Sequence, residues 1–290
     1  MKEIVSILGI FPKDIGEQAF SELLGIYSEG KKYRAFNCTL PTEDPRLHTI
    51  RELLTTSGLR PWMDRFRKRP PDEYTIEIER IYEPEELNSA EYLELVPYAF
   101  TEGLSRDDHG RIKIDGRELQ PSAAFASTKL PWVIVPDRVK RLLQESDLHH
   151  IAFWPTIMVG GFLAKDRKEP ISWEVYGEPW WELTSELILP PLSPSVDLRD
   201  ADGQPLSRGS NNFSNGCHLR EGLYSHPELH YRKQDLQAVE PFDAALTYEP
   251  FGTKGVPLDW RRLVVSRRFR DFCLEHGWKA DWVPVRIDED

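Results

Sequence analysis

The sequence predicts an α+β protein with two related strand–helix–strand half-units in mixed sheets, preceded by an N-terminal α/β extension. The main observation is a pattern that occurs at residues 133–145 and again at residues 263–275, an offset of 130 positions (263 − 133). Each copy runs into an aromatic-x-Pro string, at residues 153–155 and 282–284. A further observation is the alternation of apolar and acidic residues over positions 75–82, which is typical of a half-buried strand.

The predicted half-units contain the same parts in the same order. A β-branched strand leads directly into a helix, which begins at Pro136 in the first copy and at the good N-cap residue Ser266 in the second. Proline in the strand after each helix favours an edge position or a bulge. Each helix is expected to bury a triplet at helical spacing: Val139, Leu142 and Leu143, matched by Phe269, Phe272 and Cys273. The arginines Arg138, Arg141, Arg267, Arg268 and Arg270 are expected on the solvated side.

Three segments follow from these patterns. The extension covers residues 1–70, the first half-unit residues 71–165 and the second residues 166–290. Within the extension we predict strands over 4–11 and 33–40, a helix over 15–27, and a second helix that begins at Asp44-Pro45 and stops at Gly58. The basic, proline-bearing residues 65–71 are predicted to form a linker or exposed loop. A short helix with an acidic first turn is expected at residues 83–86.

Composition places the chain among ordinary soluble proteins. Apolar residues make up 40% and charged residues 29% of its 290 positions, and no run approaches the ~18 apolar residues of a membrane helix. The N-terminus lacks a basic leader and a cleavage site, so we expect no signal peptide and a cytoplasmic location. Three scattered cysteines do not make a disulfide framework.

The charge balance bears on possible partners. The chain has 37 basic and 48 acidic residues, a net charge of −11. That sign disfavours direct binding to nucleic acid or to anionic membranes, and it suits a basic partner. Acidity of this degree also serves solubility alone.

The best candidate metal ligands are Cys217, His226 and His230, since a thiolate and two imidazoles suit zinc. With Glu228 as a base, they would make a metal-dependent hydrolase. However, a structural zinc site needs four ligands, and Pro227 argues against a helix that carries both histidines. Polar residues in a turn and a strand are the favoured interpretation, and we predict no catalytic residue and no cofactor. Nucleophile and phosphate-loop motifs are absent from the sequence.

The segment 170–194 is rich in tryptophan and proline. Trp173, Trp180 and Trp181 are candidate partner-binding residues, because aromatic anchors dominate the energetics of interfaces. Packing between the two half-units explains them equally well.

Residues 130–290 resemble the immunity proteins of bacterial polymorphic-toxin systems, in particular the double-CxxCG-motif family. The shared strings are Leu-His-Tyr at 229–231, Phe-Asp-Ala-Ala-Leu-Thr at 242–247, Phe-Gly at 251–252, Leu-Val-Val-Ser-x-Arg-Phe-Arg at 263–270 and aromatic-x-Pro-Val at 282–285. Neither CxxCG motif is present, and the turn at 215–218 stands about where one is expected. The resemblance therefore implies no zinc ligand here.

The resemblance implies a non-enzymatic immunity protein that binds and neutralises a cognate protein toxin, which would be basic given the charge of this chain. A hydrolase at Cys217, His226 and His230, or an adaptor with another partner, are the alternatives.

Overall fold

The computed structural model describes residues 1–12, 27–29, 33–56, 60–61, 73–101, 106–128, 132–159, 170–175, 177–200, 204–210, 217–219, 226–251 and 260–289. Its contacts divide the chain into two compact units. The first contains residues 1–84 and 221–227, and the second contains residues 85–220 and 228–290. The helix predicted over 15–27 lies, apart from Tyr27, outside the described residues, and so does the linker predicted over 65–71.

In its described residues the first unit contains a five-stranded sheet and one helix. Its elements are β1 (Lys2–Pro12), β2 (Tyr27–Glu29), β3 (Tyr33–Pro41), α1 (Arg46–Thr56), β4 (Arg60–Pro61) and β5 (Glu73–Ile81), and the strand order is β2-β3-β1-β5-β4. Strand β1 alternates, so that Val5 and Ile7 face a core that α1 covers with Leu47, Ile50 and Leu54. Because β5 pairs with β1, this unit continues past the boundary at residue 70 that the sequence predicted.

Helix α1 begins as its sequence predicts. The Asp44 carboxylate accepts the backbone N–H of Arg46 at 2.9 Å and also pairs with the Arg46 guanidinium. Those hydrogen bonds lower the pKa of Asp44 to about 2. The predicted stop, Gly58, is outside the described residues.

The second unit has mixed helices and strands in parallel and antiparallel pairs, which confirms the α+β class. Its elements up to residue 159 are α2 (Pro84–Ser89), β6 (Tyr92–Val96), β7 (Ala99–Thr101), β8 (Lys113–Asp115), β9 (Ala126–Thr128), β10 (Val133–Pro136), α3 (Asp137–Glu145), β11 (Ala152–Pro155) and β12 (Ile157–Val159). The later elements are a 3₁₀ turn (Trp173–Val175), β13 (Trp180–Thr184), β14 (Leu198–Asp200), β15 (Cys217–Leu219), β16 (His230–Arg232), α4 (Lys233–Gln237), β17 (Ala244–Leu246), β18 (Leu263–Ser266), α5 (Arg267–Glu275), β19 (Asp281–Pro284) and β20 (Arg286–Asp288).

The duplication extends well beyond the strand–helix–strand pattern. We define module A as residues 106–159 and module B as residues 228–288. Each has a strand paired in parallel with its last strand, β8 with β12 in module A and β16 with β20 in module B. Each also has an antiparallel pair before its helix, β9 with β10 and β17 with β18. The proline-bearing strands β11 and β19 lie at sheet edges, as predicted.

The two modules exchange strands. We call residues 92–101 arm A and residues 180–189 arm B; they are offset by 88 positions (180 − 92). Arm A begins with β6, which lies between β18 and β19 of module B, and ends with β7, which pairs with β9 of module A. Arm B begins with β13, between β10 and β11 of module A, and ends at Leu187 and Leu189, which hydrogen-bond to Leu246 of β17. The half-units are therefore interleaved across the boundary predicted at residue 165.

One apolar core joins the two modules. It combines equivalent residues from both copies, such as Val135 with Val265 and Leu95 with Leu183. The helices contribute Val139, Leu143, Phe269 and Cys273, as predicted, but two expectations were wrong. Leu142 is exposed, because it lies on the edge of the buried stripe. Arg270 is buried, because its guanidinium donates to Asn88 Oδ1 at 3.0 Å.

Candidate functional site

A buried glutamate stands at the same place in both exchanged strands. Glu94 is the central residue of β6 and lies opposite Val264, while Glu182 is the central residue of β13 and lies opposite Ile134. Val264 and Ile134 are equivalent positions of the repeat. Both glutamates are almost fully buried, and a buried carboxylate needs a partner because desolvation of an isolated charge is costly.

The buried carboxylate of Glu182 pairs with Arg106 of module A, which is 76 positions away in the sequence. Arg106 donates two hydrogen bonds of 2.7 Å to the Glu182 carboxylate, one from Nη1 and one from Nη2. Its Nη1 also donates to the Gly110 carbonyl at 2.7 Å. Its guanidinium carbon lies 4.5 Å from the centroid of the Trp132 ring, within the range of a cation–π contact. Glu182, Arg106 and Trp132 thus form one polar cluster against the sheet.

In module B the buried glutamate, Glu94, is also paired with an arginine, but at a different position of the repeat. Arg262 occupies the position equivalent to Trp132, and its Nη1 lies 3.2 Å from Glu94 Oε2. Its guanidinium lies over the ring of Phe251, again at 4.5 Å from the centroid. Each module therefore holds a glutamate, an arginine and an aromatic ring, although neither the arginine nor the ring comes from equivalent positions.

The two clusters differ in access to solvent. In module B the side chains of Arg262 and Glu94 are 8% and 7% exposed. In module A those of Arg106 and Glu182 are 30% and 10% exposed. The cluster of module A borders an open cavity of about 180 Å³ between the modules. Only this copy of the charge pair is therefore within reach of a ligand through that cavity.

The cavity has a mixed wall. Its charged and aromatic lining comes from Arg106, Glu182, Arg261 and Trp132. The apolar lining is formed by Val133, Leu183, Ile188, Leu246 and Leu263. Arg261 is held at Nη1, which donates to the carbonyl oxygens of Thr247 (2.8 Å) and Tyr248. A concave apolar wall with a few fixed polar groups is typical of a small-molecule site.

The residues weighed as metal ligands take part in other contacts. Cys217 is buried in β15 and its thiol donates to the Pro250 carbonyl at 3.2 Å. Burial, reinforced by the charge of Glu249, raises the pKa of this thiol to about 12, so it is a neutral thiol at neutral pH. His230 lies in β16, where its Nδ1 is 3.2 Å from Asp288 Oδ1.

His226 belongs to the first unit, and Cys217 and His230 to the second. Among the described residues, no group of three or more histidine, cysteine, aspartate or glutamate side chains is arranged to hold a metal ion. Glu228, the candidate base, is instead bound by the Arg286 guanidinium through hydrogen bonds of 2.7 and 3.0 Å.

The tryptophans proposed as anchors lie mainly in the core. Trp180 is buried beside Trp132, and Trp181 packs on the joint core while its indole N–H donates to Asp137 at 3.0 Å. Packing within the second unit, which the sequence left open, explains both residues. Trp173 is half-buried, and Trp154 on the edge strand β11 is the tryptophan most exposed to solvent among the described ones.

Arg106, Glu94 and Glu182 were missed from the sequence. The one available signal was the Glu-Leu pair shared by residues 92–96 and 180–184. Two identical residues in five do not distinguish a repeat from chance, and the partner of Glu182 is 76 positions away.

Comparison with known proteins finds no matching family model, no matching curated protein and no matching solved structure. The described part of the chain contains no helix long and apolar enough to cross a membrane.

Proposed function

We propose that this chain is a non-enzymatic immunity protein, which acts in the cytoplasm by binding and neutralising a basic protein toxin. The motif resemblance over residues 130–290 supports this class. The observation that carries the proposal is the distribution of charge in the second unit, where each described arginine has an intramolecular partner while six exposed carboxylates have none among the described residues.

The arginines of this unit make hydrogen bonds and ion pairs within the unit. Each arginine side chain described from residue 85 onward has an intramolecular partner. Arg268 binds Asp243 at 2.9 Å, and Arg267 donates to the carbonyl oxygens of Ser89 and Ala90. These contacts offset much of the positive charge that the surface would otherwise present to an anionic partner.

The carboxylates behave differently. Six exposed ones have no ion-pair or hydrogen-bond partner in the part of the chain that the structure describes: Glu85, Asp108, Glu145, Glu174, Glu186 and Glu275. An acidic surface of this kind steers a basic protein toward it and raises the association rate, by about 10- to 1,000-fold at low salt.

The direct test is protection of cells. The product of the gene next to the one that encodes this chain is expressed in a heterologous host, alone and together with this chain. We expect growth arrest by the neighbouring protein alone and restored growth with co-expression, with a stoichiometric complex on purification. A neighbouring protein that is harmless, or whose toxicity persists without complex formation, would refute the proposal.

The electrostatic part is tested on the purified complex. The double variant Glu145→Lys, Glu275→Lys is compared with Glu145→Gln, Glu275→Gln, which has the same side-chain size without charge reversal. We expect the lysine variant to lose more of the association rate and of its salt dependence, with a smaller effect on dissociation. Equal association rates for both variants would show that other surfaces steer the partner.

A further inference from the structure

We propose that the cavity between the modules binds a small carboxylate ion, whose apolar part packs in the cavity while the arginines that line it hold the carboxylate. This activity is independent of the toxin-binding surface proposed above. Three features of the cavity carry the inference: unused arginine donors, an excess of positive charge and a compact apolar wall.

Arg106 is fixed in place but not saturated. Its two terminal nitrogens bind Glu182, and Nη1 also binds the Gly110 carbonyl. This leaves the Nε–H and one Nη2–H without a partner among the described residues. These two groups point the same way from the planar guanidinium, which is the fork that binds a carboxylate with two parallel hydrogen bonds. Because Glu182 and the Trp132 ring already orient the guanidinium, little side-chain entropy is lost on binding.

Arg261 adds a second cation. Its Nη1 is engaged with two backbone carbonyls, and its Nε and Nη2 groups have no partner in the described part of the chain. The residues that line the cavity include two guanidinium groups and a single carboxylate, that of Glu182, so the lining itself carries one positive charge in excess. In a chain with a net charge of −11, a cationic pocket is a local exception that selects an anion.

The size and the wall define the rest of the ligand. The cavity of about 180 Å³ is slightly larger than the ~150 Å³ protein cavity that accepts benzene. Leu246, Leu263 and Ile188 give it an apolar side, and Ile188 is 42% exposed, which places it at the mouth. Benzoate and branched short-chain acids such as isovalerate fit this combination of one carboxylate and one compact apolar group.

The equivalent charge pair of module B lacks this access to solvent. In module B, Arg262 directly precedes β18, and the ion pair that it makes with Glu94 is buried from solvent. In module A the equivalent residue is Trp132, and the arginine arrives from residue 106 instead. That rearrangement brings the guanidinium to the edge of the cavity.

The experiment measures benzoate and isovalerate binding to the full chain by calorimetry and by tryptophan fluorescence, with benzamide as the neutral analogue of benzoate. We expect saturable binding of one equivalent of a carboxylate and at least about tenfold weaker binding of benzamide, since a charge-assisted hydrogen-bond pair is lost. Trp132→Phe should remove most of the fluorescence change without abolishing the calorimetric signal.

Two matched variants locate the site. Ile188→Trp fills the mouth of the cavity and should weaken binding at least about tenfold, while Leu274→Trp, at another exposed aliphatic position on α5, should leave it unchanged. Arg106→Lys keeps the charge beside Glu182 but loses the fork and should also weaken binding. The proposal is overturned if neither acid binds below about 10 mM, if benzamide binds as tightly as benzoate, or if Ile188→Trp binds normally.

Discussion

The two buried charge pairs should respond very differently to the same substitution. Glu94→Gln removes a carboxylate that pairs with the guanidinium of Arg262, which is 8% exposed. Breaking one half of a buried pair costs about 3–5 kcal/mol, because the remaining charge stays desolvated. Glu182→Gln should cost only about 1–2 kcal/mol, since Arg106 is 30% exposed and regains water. We therefore expect a difference of about 2 kcal/mol between the two variants.

Urea unfolding followed by tryptophan fluorescence measures this difference. Eight of the nine tryptophans lie at or after position 132, so the signal reports mainly on the second unit. The control is the double variant Glu94→Leu, Arg262→Leu, which removes both charges and should be more stable than Glu94→Gln alone. Equal costs for Glu94→Gln and Glu182→Gln, or a cost of less than about 1 kcal/mol for the former, would refute the argument from burial.

Three further predictions concern single groups. Ser266→Ala should lower the free energy of unfolding by about 1–2 kcal/mol, because its side chain caps α5, whereas Pro136→Ala removes no side-chain cap from α3; urea titrations compare the two. Burial raises the pKa of Cys217 to about 12, and burial also raises the pKa of Cys273. Iodoacetamide at pH 8 should therefore alkylate both thiols only in the unfolded chain, which mass spectrometry measures. Desolvation raises the pKa of Asp288, but hydrogen bonds from two serines and a histidine outweigh it and the net pKa is lowered. The stabilisation that the Asp288 carboxylate contributes is complete above the unfolded pKa of about 4 and is lost as the pH falls through the lower folded pKa, so Asp288→Asn should be more destabilising at pH 7 than at pH values below about 4.

The parts of the fold that the sequence predicted are those set by local physics. The helical period and the cap at Ser266 fixed the positions of α3 and α5, and alternation located β5. The exchange of β6 and β13 was not predictable, because strand pairing is decided by contacts across long stretches of sequence. Its only sequence signal was two identical residues, at an offset of 88 instead of 130. The burial of the β13 tryptophans was left open for the same reason, since exposure depends on which sheet the strand joins.

The candidate site escaped prediction for a related reason. Its charge pair joins residues 76 positions apart, and the arginine does not come from the equivalent position in the two modules. The repeat pattern alone therefore does not indicate Glu182, whose position follows from the pairing of β13 with β10 and β11. The candidate metal ligands, in contrast, were selected by closeness in sequence, but Cys217 and His230 lie in different strands, β15 and β16, and His226 belongs to the first unit.

The glutamates at the centre of the exchanged strands have a physical role that stability does not explain. A buried ion pair contributes little net stability, and well-packed apolar residues often replace one at no cost. The buried ion pair does, however, distinguish the native strand register from a slipped one. Leu93 and Leu95 flank Glu94 and face the joint core, so a slip of one residue would turn the carboxylate into that core and the leucines out of it. The same holds for Glu182 in β13, which Leu183 anchors to the core. Two similar strands that must insert into two similar sheets need a device that fixes their register, and the charge pair supplies it in both. In both strands a slipped register would separate the buried glutamate from its arginine, although that arginine comes from a different position in each module.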